Sequence, residues 1–231
     1  MLRLFYNFLL TVLYLPYLIL IFFRIFLKKE HKNKFKEKVF LTKINRPDGF
    51  VFWFHVASIG ELNSIFPIIN HYLKKDKKYQ FLITTVTLSS YNQFQKKFRG
   101  NLRVFHQFLP YDLNFFSSYF IKSWKPNIVS FVDSEIWPNF IYTIKKKNIP
   151  IVLLNARISN KTFKRWALLK SYNEKIFGLF SICISSSKET AEYLQLLRAK
   201  KIKYFGNIKF CTEIKKNKNL TKNQVNKFNN R

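Results

Sequence analysis

Between Phe50 and Phe205 the sequence repeats one pattern: a short apolar run, a turn, then about ten residues whose apolar positions follow a helical period. The runs are Phe50–Val56, Tyr79–Val86, Leu102–Phe108, Ile128–Val132, Ile149–Asn155, Leu179–Ser185 and Lys203–Phe205. Helical stretches fill the gaps: Glu61–Lys74, Leu88–Phe98, Leu113–Lys122, Ile136–Lys147, Lys164–Ile176 and Lys188–Leu197. Strands alternating with helices of this length form βαβ units, so the pattern predicts an α/β domain, a Rossmann-like parallel sheet covered on both faces. Pro126 and Pro150 fall at strand starts, where a missing N–H does least harm. No G-x-G-x-x-G follows the first run and no P-loop occurs, which disfavours a dinucleotide or ATP domain.

Ahead of the domain, residues 4–23 carry no charge, and only Tyr6, Asn7, Thr11, Tyr14 and Tyr17 break their apolar character. As a helix the stretch reaches about 30 Å, enough to cross a hydrocarbon layer, with Pro16 expected to kink it. It lacks the small-residue cleavage site of a removed signal peptide. From Arg24 to Arg46 basic residues far outnumber Glu30 and Glu37, which by charge bias keeps the following domain on the cytoplasmic side and attracts it to anionic headgroups. A helix lying in the membrane interface is the alternative to a spanning one. The expected organisation is a membrane anchor helix at 1–27, a basic juxtamembrane segment at 28–48, the α/β domain at 49–210 and a Lys/Asn-rich tail or start of a linker at 211–231.

The formal charge is +29, from 41 basic against 12 acidic residues. Such an excess points to an anionic membrane or a polyanion. The basic residues are spread through the helices and no nucleic-acid-binding motif occurs, so nucleic acid is not expected as a partner. The abundance of Lys, Asn, Ile and Phe also fits an AT-rich genome. Cys183 and Cys211 have neither metal-ligand spacing nor a disulfide framework.

Chemistry-bearing residues gather where apolar runs end. GFVFWFHVASIGEL, at 49–62, ends the first run at His55 and places Ser58, Gly60 and Glu61 at the start of a helix. Ser58 and Glu61 have the spacing of a capping box, which satisfies the free N–H groups of a first helical turn. A carboxylate beyond the carboxyl end of a strand is equally placed to bind a ligand. Glu135, in DSEIWPN at 133–139, repeats the arrangement, with Asp133 or Ser134 as a cap for the next helix and Trp137 as a core residue. Arg157, in NARIS, has uncharged neighbours and a guanidinium suited to a carboxylate or phosphate; it is expected to contact an anion or to pair with Glu135, with structural pairing elsewhere as the alternative. Thr84, Thr85 and Thr87 read as hydroxyl donors to a phosphate or sugar. His55 is either a donor to substrate or a satisfied structural histidine.

The wording of these stretches resembles the 3-deoxy-D-manno-octulosonic acid (Kdo) transferases. His55, Ser58, Gly60 and Glu61 match the family's H-x-x-S-x-G-E in order and spacing, and TTVT at 84–87, FLPYDL at 108–113, DSEIWPN at 133–139, LLNARIS at 153–159 and GNIKF at 206–210 follow in the family's order. The resemblance implies the N-terminal, acceptor-side half of a GT-B glycosyltransferase. Its reaction would move Kdo from CMP-Kdo to the lipid A precursor, without metal or cofactor, at the cytoplasmic face of the bacterial inner membrane. It implies that Glu61 is the general base and that Glu135 is a second site carboxylate, with Ser58 and Gly60 beside the substrate. CMP-Kdo would be held by a second domain not found in these residues. Two departures stand out: Asp133 where the family often has Glu, and Ser89–Ser90 where the threonine motif typically continues with Gly. A non-catalytic membrane-anchored module that binds anionic lipid or a protein is the rival expectation.

Overall fold

The computed structural model describes residues 2–211. Seven parallel strands form one sheet in the order β3-β2-β1-β4-β5-β6-β7. The strands are β1 (Phe50–His55), β2 (Tyr79–Thr85), β3 (Val104–Phe108), β4 (Ile128–Val132), β5 (Ile151–Ala156), β6 (Ile182–Ser185) and β7 (Ile202–Tyr204). Each lies within two or three residues of its sequence expectation. The expected tail at 211–231 falls almost wholly outside the described residues.

Alternate side chains of the central strands face two separate apolar layers. Trp53 and Phe131 pack with Phe120 and Phe140 on one face. Phe54 and Ile83 pack with Leu62 and Ile65 on the other. The strand order reverses between β1 and β4, which are hydrogen-bonded neighbours though β2 and β3 lie between them in sequence. Register aligns His55 with Thr84 on one side and with Phe131 on the other, so the carboxyl ends of these strands open at one level.

Of the helices, α3 (Ile59–Lys75), α4 (Leu88–Phe98), α5 (Asn114–Trp124) and α9 (Lys188–Leu196) match expectation closely. Two differ. The helix expected from Ile136 begins instead at Pro138, giving α6 (Pro138–Lys146), because the residue before a proline is pushed out of the helical region and Trp137 is extended. Pro138 then occupies the first helical position, where its missing N–H costs nothing. The helix expected over Lys164–Ile176 is broken into α7 (Asn160–Ala167) and α8 (Lys170–Phe177), and the Asn173 side chain donates to the Trp166 carbonyl at the break.

The N-terminal helix α1 (Leu2–Phe26) lies against the domain rather than standing clear of it. The Tyr6 hydroxyl donates to Asp112 Oδ2 at 2.8 Å, Asn139 Nδ2 donates to Asn7 Oδ1 at 2.9 Å, and the Tyr111 hydroxyl donates to the Leu10 carbonyl at 3.2 Å. Tyr14 donates to the Val39 carbonyl, and Tyr17 stacks on Tyr111. Ile21 closes the seam by packing against Phe35 and Val39.

The segment after α1 is not merely a basic flank. It folds, with α2 (Lys36–Val39), around a buried ion cluster in which Glu30 accepts from Arg24 Nε at 3.0 Å and from Lys38 Nζ at 2.6 Å. Lys38 also donates to the Val86 carbonyl.

Asp112 joins α1, α5 and α6. Its carboxylate accepts from the Tyr6 hydroxyl and from the Asn139 and Phe140 N–H groups, capping α6 from another part of the chain. The cap expected from Asp133 or Ser134 is therefore supplied by Asp112. Burial outweighs these three donors and pushes the Asp112 carboxyl up to about 7. The native state then holds a proton that the unfolded chain releases near pH 4, so this group's contribution to stability falls as pH rises from about 4 to about 7. Relative to Asp112→Asn, the wild-type chain is expected to lose stability between pH 5 and pH 8, by a few kcal/mol at most. Thermal melts of both proteins across that range check it; parallel curves refute it.

Candidate active site

The crevice at the β1/β4 reversal is where open parallel sheets bind ligands, outside the carboxyl ends of the strands. The two carboxylates singled out in the sequence stand at the ends of the two strands that form it. On the β1 side the chain leaves His55, turns at Ala57, and enters α3 with Ser58 as N-cap. The Ser58 side chain accepts from the Glu61 N–H at 3.2 Å and donates to Glu61 Oε1 at 2.8 Å. Glu61 Oε2 accepts from the Ala57 N–H at 2.7 Å. The capping box thus exists, and it fixes the carboxylate of Glu61 in one orientation at a helix N-terminus, where the dipole favours negative charge. Gly60 faces open space: a Cβ there would meet only Ser58 Oγ, at 4.0 Å.

On the β4 side, Glu135 sits in the loop between Val132 and Pro138, half-buried. Its Oε2 lies 3.3 Å from His55 Nε2 and accepts from the Trp137 indole N–H at 2.9 Å. Burial alone would raise the Glu135 carboxyl, but the His55 and Trp137 contacts outweigh it and leave its pKa below the ordinary carboxylate value. His55 is fully buried, and its Nδ1 lies 2.9 Å from Thr84 Oγ1, which also accepts from the Trp53 indole N–H at 2.8 Å. A continuous line of contacts therefore runs from the sheet interior to the crevice: Trp53, Thr84, His55, Glu135, Trp137.

Of the partners expected for Arg157, Glu135 is held by His55 instead. Arg157 is exposed, and its guanidinium makes no hydrogen bond or ion pair among the described residues. Only its backbone is fixed, by the Asp133 carbonyl and the Ser134 hydroxyl. Thr84 and Thr85 are buried, and Thr87 is half-buried at the start of α4. Thr84 belongs to the line above, Thr85 Oγ1 lies 2.9 Å from His106 Nε2, and Thr87 caps α4 by accepting from the Ser90 N–H. These hydroxyls hold the second strand end in place.

Sequence reasoning missed one cluster. Asp133 and Asn155, at the ends of β4 and β5, both adopt positive φ, at 60° and 55°. Asp133 Oδ1 accepts from Asn155 Nδ2 at 2.5 Å, and Oδ2 pairs with Lys209 Nζ at 2.6 Å. Asn155 Oδ1 in turn accepts from the Ile208 N–H. These bonds draw the short 3-10 turn at Ile208–Cys211 back to the strand ends, where it packs against α3. Left-handed asparagine and aspartate at successive strand ends are a usable signal, though only once the strands are placed. Among the described residues no group of three or more His, Cys, Asp or Glu side chains could hold a metal ion.

A fixed carboxylate at a helix start, a second carboxylate paired to a buried histidine, and an unpaired guanidinium suit proton removal from a hydroxyl beside an anionic substrate. Comparison with known proteins identifies the family. Residues 30–212 match the family model described as 3-deoxy-D-manno-octulosonic-acid transferase (kdotransferase). The chain is 33% identical over 214 residues to the 3-deoxy-D-manno-octulosonic acid transferase of Rickettsia bellii, covering 92% of this chain and 50% of that protein. It is 34% identical over 185 residues to a probable mitochondrial 3-deoxy-D-manno-octulosonic acid transferase of Arabidopsis thaliana, covering 78% of this chain and 41% of the relative. The chain thus spans about half the length of the curated relatives it matches. Among solved structures, a putative UDP-N-acetylglucosamine 2-epimerase from Listeria monocytogenes superposes with a TM-score of 0.52 at 12% identity. That match covers 74% of this chain and 50% of the other, and it shows the shared Rossmann-like half of the GT-B architecture.

Proposed function

This chain belongs to the 3-deoxy-D-manno-octulosonic-acid transferase family, and on that premise we propose that it is the acceptor-side half of an enzyme moving Kdo from CMP-Kdo to the lipid A precursor. In this reading residues 49–210 bind the acceptor, and a second domain holds CMP-Kdo. Residues 1–27 attach the protein to the cytoplasmic face of the inner membrane, aided by the basic positions within 28–48. The observation that carries the proposal is the placement of Glu61 and Glu135 at the ends of β1 and β4, on the two sides of the crevice.

The acceptor's hydroxyl is a poor nucleophile at neutral pH and needs a carboxylate within hydrogen-bond reach. Glu61 fills that role because its position is fixed before substrate arrives and Gly60 leaves space beside it. Its hydrogen bonds to Ala57 and Ser58 occupy one side of each oxygen, and a carboxylate oxygen accepts more than one. Glu135, held by His55 and Trp137, orients the acceptor, and Arg157 takes an anionic group of donor or acceptor. Ser58 serves through the cap. Thr84, Thr85 and Thr87 serve by fixing the strand end. The leaving phosphate is stabilised by fixed positive charge and helix N-termini, with no metal required.

Gly60→Ala separates substrate contact from folding. The added methyl has room in this domain, so the variant should be neutral or stabilised by up to ~1 kcal/mol. If acceptor or donor closes over Gly60, transfer should fall about tenfold or more, the scale of forcing a methyl into a filled contact. The measurement is Kdo transfer with a donor half supplied, beside a thermal melt. Full activity in a folded variant would show that nothing approaches there. Failure of the wild-type chain to transfer Kdo in the presence of a donor half would favour the non-catalytic module.

A further inference from the structure

The face that α1 turns to the domain is a single stripe of residues at helical spacing: Arg3, Tyr6 and Asn7, Leu10, Tyr14, Tyr17, Ile21, Arg24. Except for Thr11, which bonds back to its own helix, the polar groups that interrupt the uncharged run all lie on this stripe. The remaining circumference is apolar. Thirteen large apolar side chains of α1 stand exposed, from Leu2 to Phe26, with Leu4, Phe8, Leu15 and Phe26 all more than three-fifths open. A continuous exposed surface of this kind marks a membrane or protein contact.

We infer that α1 lies in the plane of an anionic lipid leaflet, with its outer face inserted among the acyl chains, and does not cross the bilayer. Contacts with the domain and with the folded segment after α1 together run from Arg3 to Arg24, about 31 Å along the helix axis. A crossing helix needs about 30 Å of hydrocarbon around it. To cross with its seam intact, α1 would drag Asp112, Asn139 and the buried Glu30–Lys38 pair to bilayer depth. Letting go of the seam would strip Asp112 and Asn139 of partners.

Charge fits the in-plane arrangement. A cavity of about 720 Å³ beside the start of α1 is lined by Arg3, Lys122, Lys145, Lys146 and Lys147, while Lys28, Lys29 and Lys32 are exposed beyond its other end. Cations therefore stand at both ends of the helix, where the headgroups of a single leaflet would meet them. A spanning helix would leave one basic end on the far side. The crevice lies at the strand ends that α1 crosses through Asn139, Asp112 and Tyr111, so insertion holds its mouth near the lipid surface.

The inference rests on the membrane attachment proposed above and is independent of transferase chemistry, so its test needs no donor half. Nitroxide labels on single cysteines replacing Leu4, Leu15 and Phe26, in the full chain with Cys183→Ala and Cys211→Ala, are read on phosphatidylcholine vesicles with and without phosphatidylglycerol. The expected result is one shared depth for all three, roughly 5–10 Å below the headgroups. Leu15 at the bilayer centre, with Leu4 and Phe26 near opposite surfaces, would overturn it. So would labels that never leave water, or α1 faces paired between two copies of the chain. Changing Lys122, Lys145, Lys146 and Lys147 to Gln together should weaken binding to the phosphatidylglycerol vesicles at least about tenfold and leave binding to pure phosphatidylcholine unchanged. Equal binding by this variant and the wild type to the anionic vesicles would remove the basic cavity from the contact.

Discussion

Glu61→Gln, assayed with a donor half, is expected to lower Kdo transfer by roughly 10²–10⁴-fold while the domain stays folded. Gln keeps the length of the side chain and one carbonyl oxygen, which can still accept from the Ala57 N–H. What it loses is the second acceptor, now an NH2 group facing the Ser58 hydroxyl. Glu61 is only 8% exposed, so losing one such hydrogen bond there costs about 1–3 kcal/mol, still less than the stability of an ordinary domain. A base contributes only if it can take the proton, so the rate should collapse where the fold survives. Transfer from CMP-Kdo to the lipid A precursor, with circular dichroism on the same samples, separates the roles. A folded Gln variant with more than about half the wild-type rate would leave Glu61 as a cap and nothing more.

The largest effect on stability is expected at Glu30. Its carboxylate is buried between Arg24 and Lys38, and the Lys38 side chain is itself only 3% exposed. Burial pulls the Lys38 amine below its ordinary pKa even though the bond to Glu30 supports its charge. Glu30→Gln would remove that ammonium's hydrogen-bonded counter-charge, leaving only the weaker pull of Glu37, and should cost about 3–5 kcal/mol, seen as a lower denaturation midpoint with an unchanged slope. The double variant Glu30→Leu with Lys38→Met removes both charges at similar volume and should recover most of the loss, since a buried pair is seldom better than an apolar replacement. If the single variant costs under 1 kcal/mol, water reaches the cluster and the segment after α1 is looser than described.

Strand positions were legible because their signal is local. Buried parallel strands must be apolar along their whole length, and the residues at their ends follow directly. The capping box was legible for the same reason, Ser58 and Glu61 being three residues apart. Contacts between distant strand ends were not. Nothing near Glu135 names His55 as its partner, and Arg157, the residue after β5, is better suited by charge. Asp112 caps a helix that begins 26 residues later, and no local rule points there. The apolar period continues through Ile136 and Trp137 and so reads as helix, but Pro138 pushes the residue before it out of the helical region and α6 starts two residues later. In α1 the polar residues counted as interruptions of a membrane stretch. Only the fold reveals that they share a stripe.

The contact line from Trp53 to Glu135 has a direction. An indole N–H can only donate, so Trp53 takes one lone pair of Thr84 Oγ1, and among the described residues His55 Nδ1 is then the acceptor that satisfies the buried hydroxyl proton. In a neutral ring that arrangement puts the imidazole proton on Nε2, facing the carboxylate. Trp53, wholly enclosed in the sheet, thereby selects the tautomer of a histidine and supplies a donor to an acid at the crevice. Phenylalanine at position 53 would fill the same apolar layer yet release that choice. With the proton on Nδ1 instead, two lone pairs would oppose each other across 3.3 Å, and Glu135 would have to take up a proton or turn away. A residue that reads as ordinary core filling thus sets which way a proton points at the mouth of the domain.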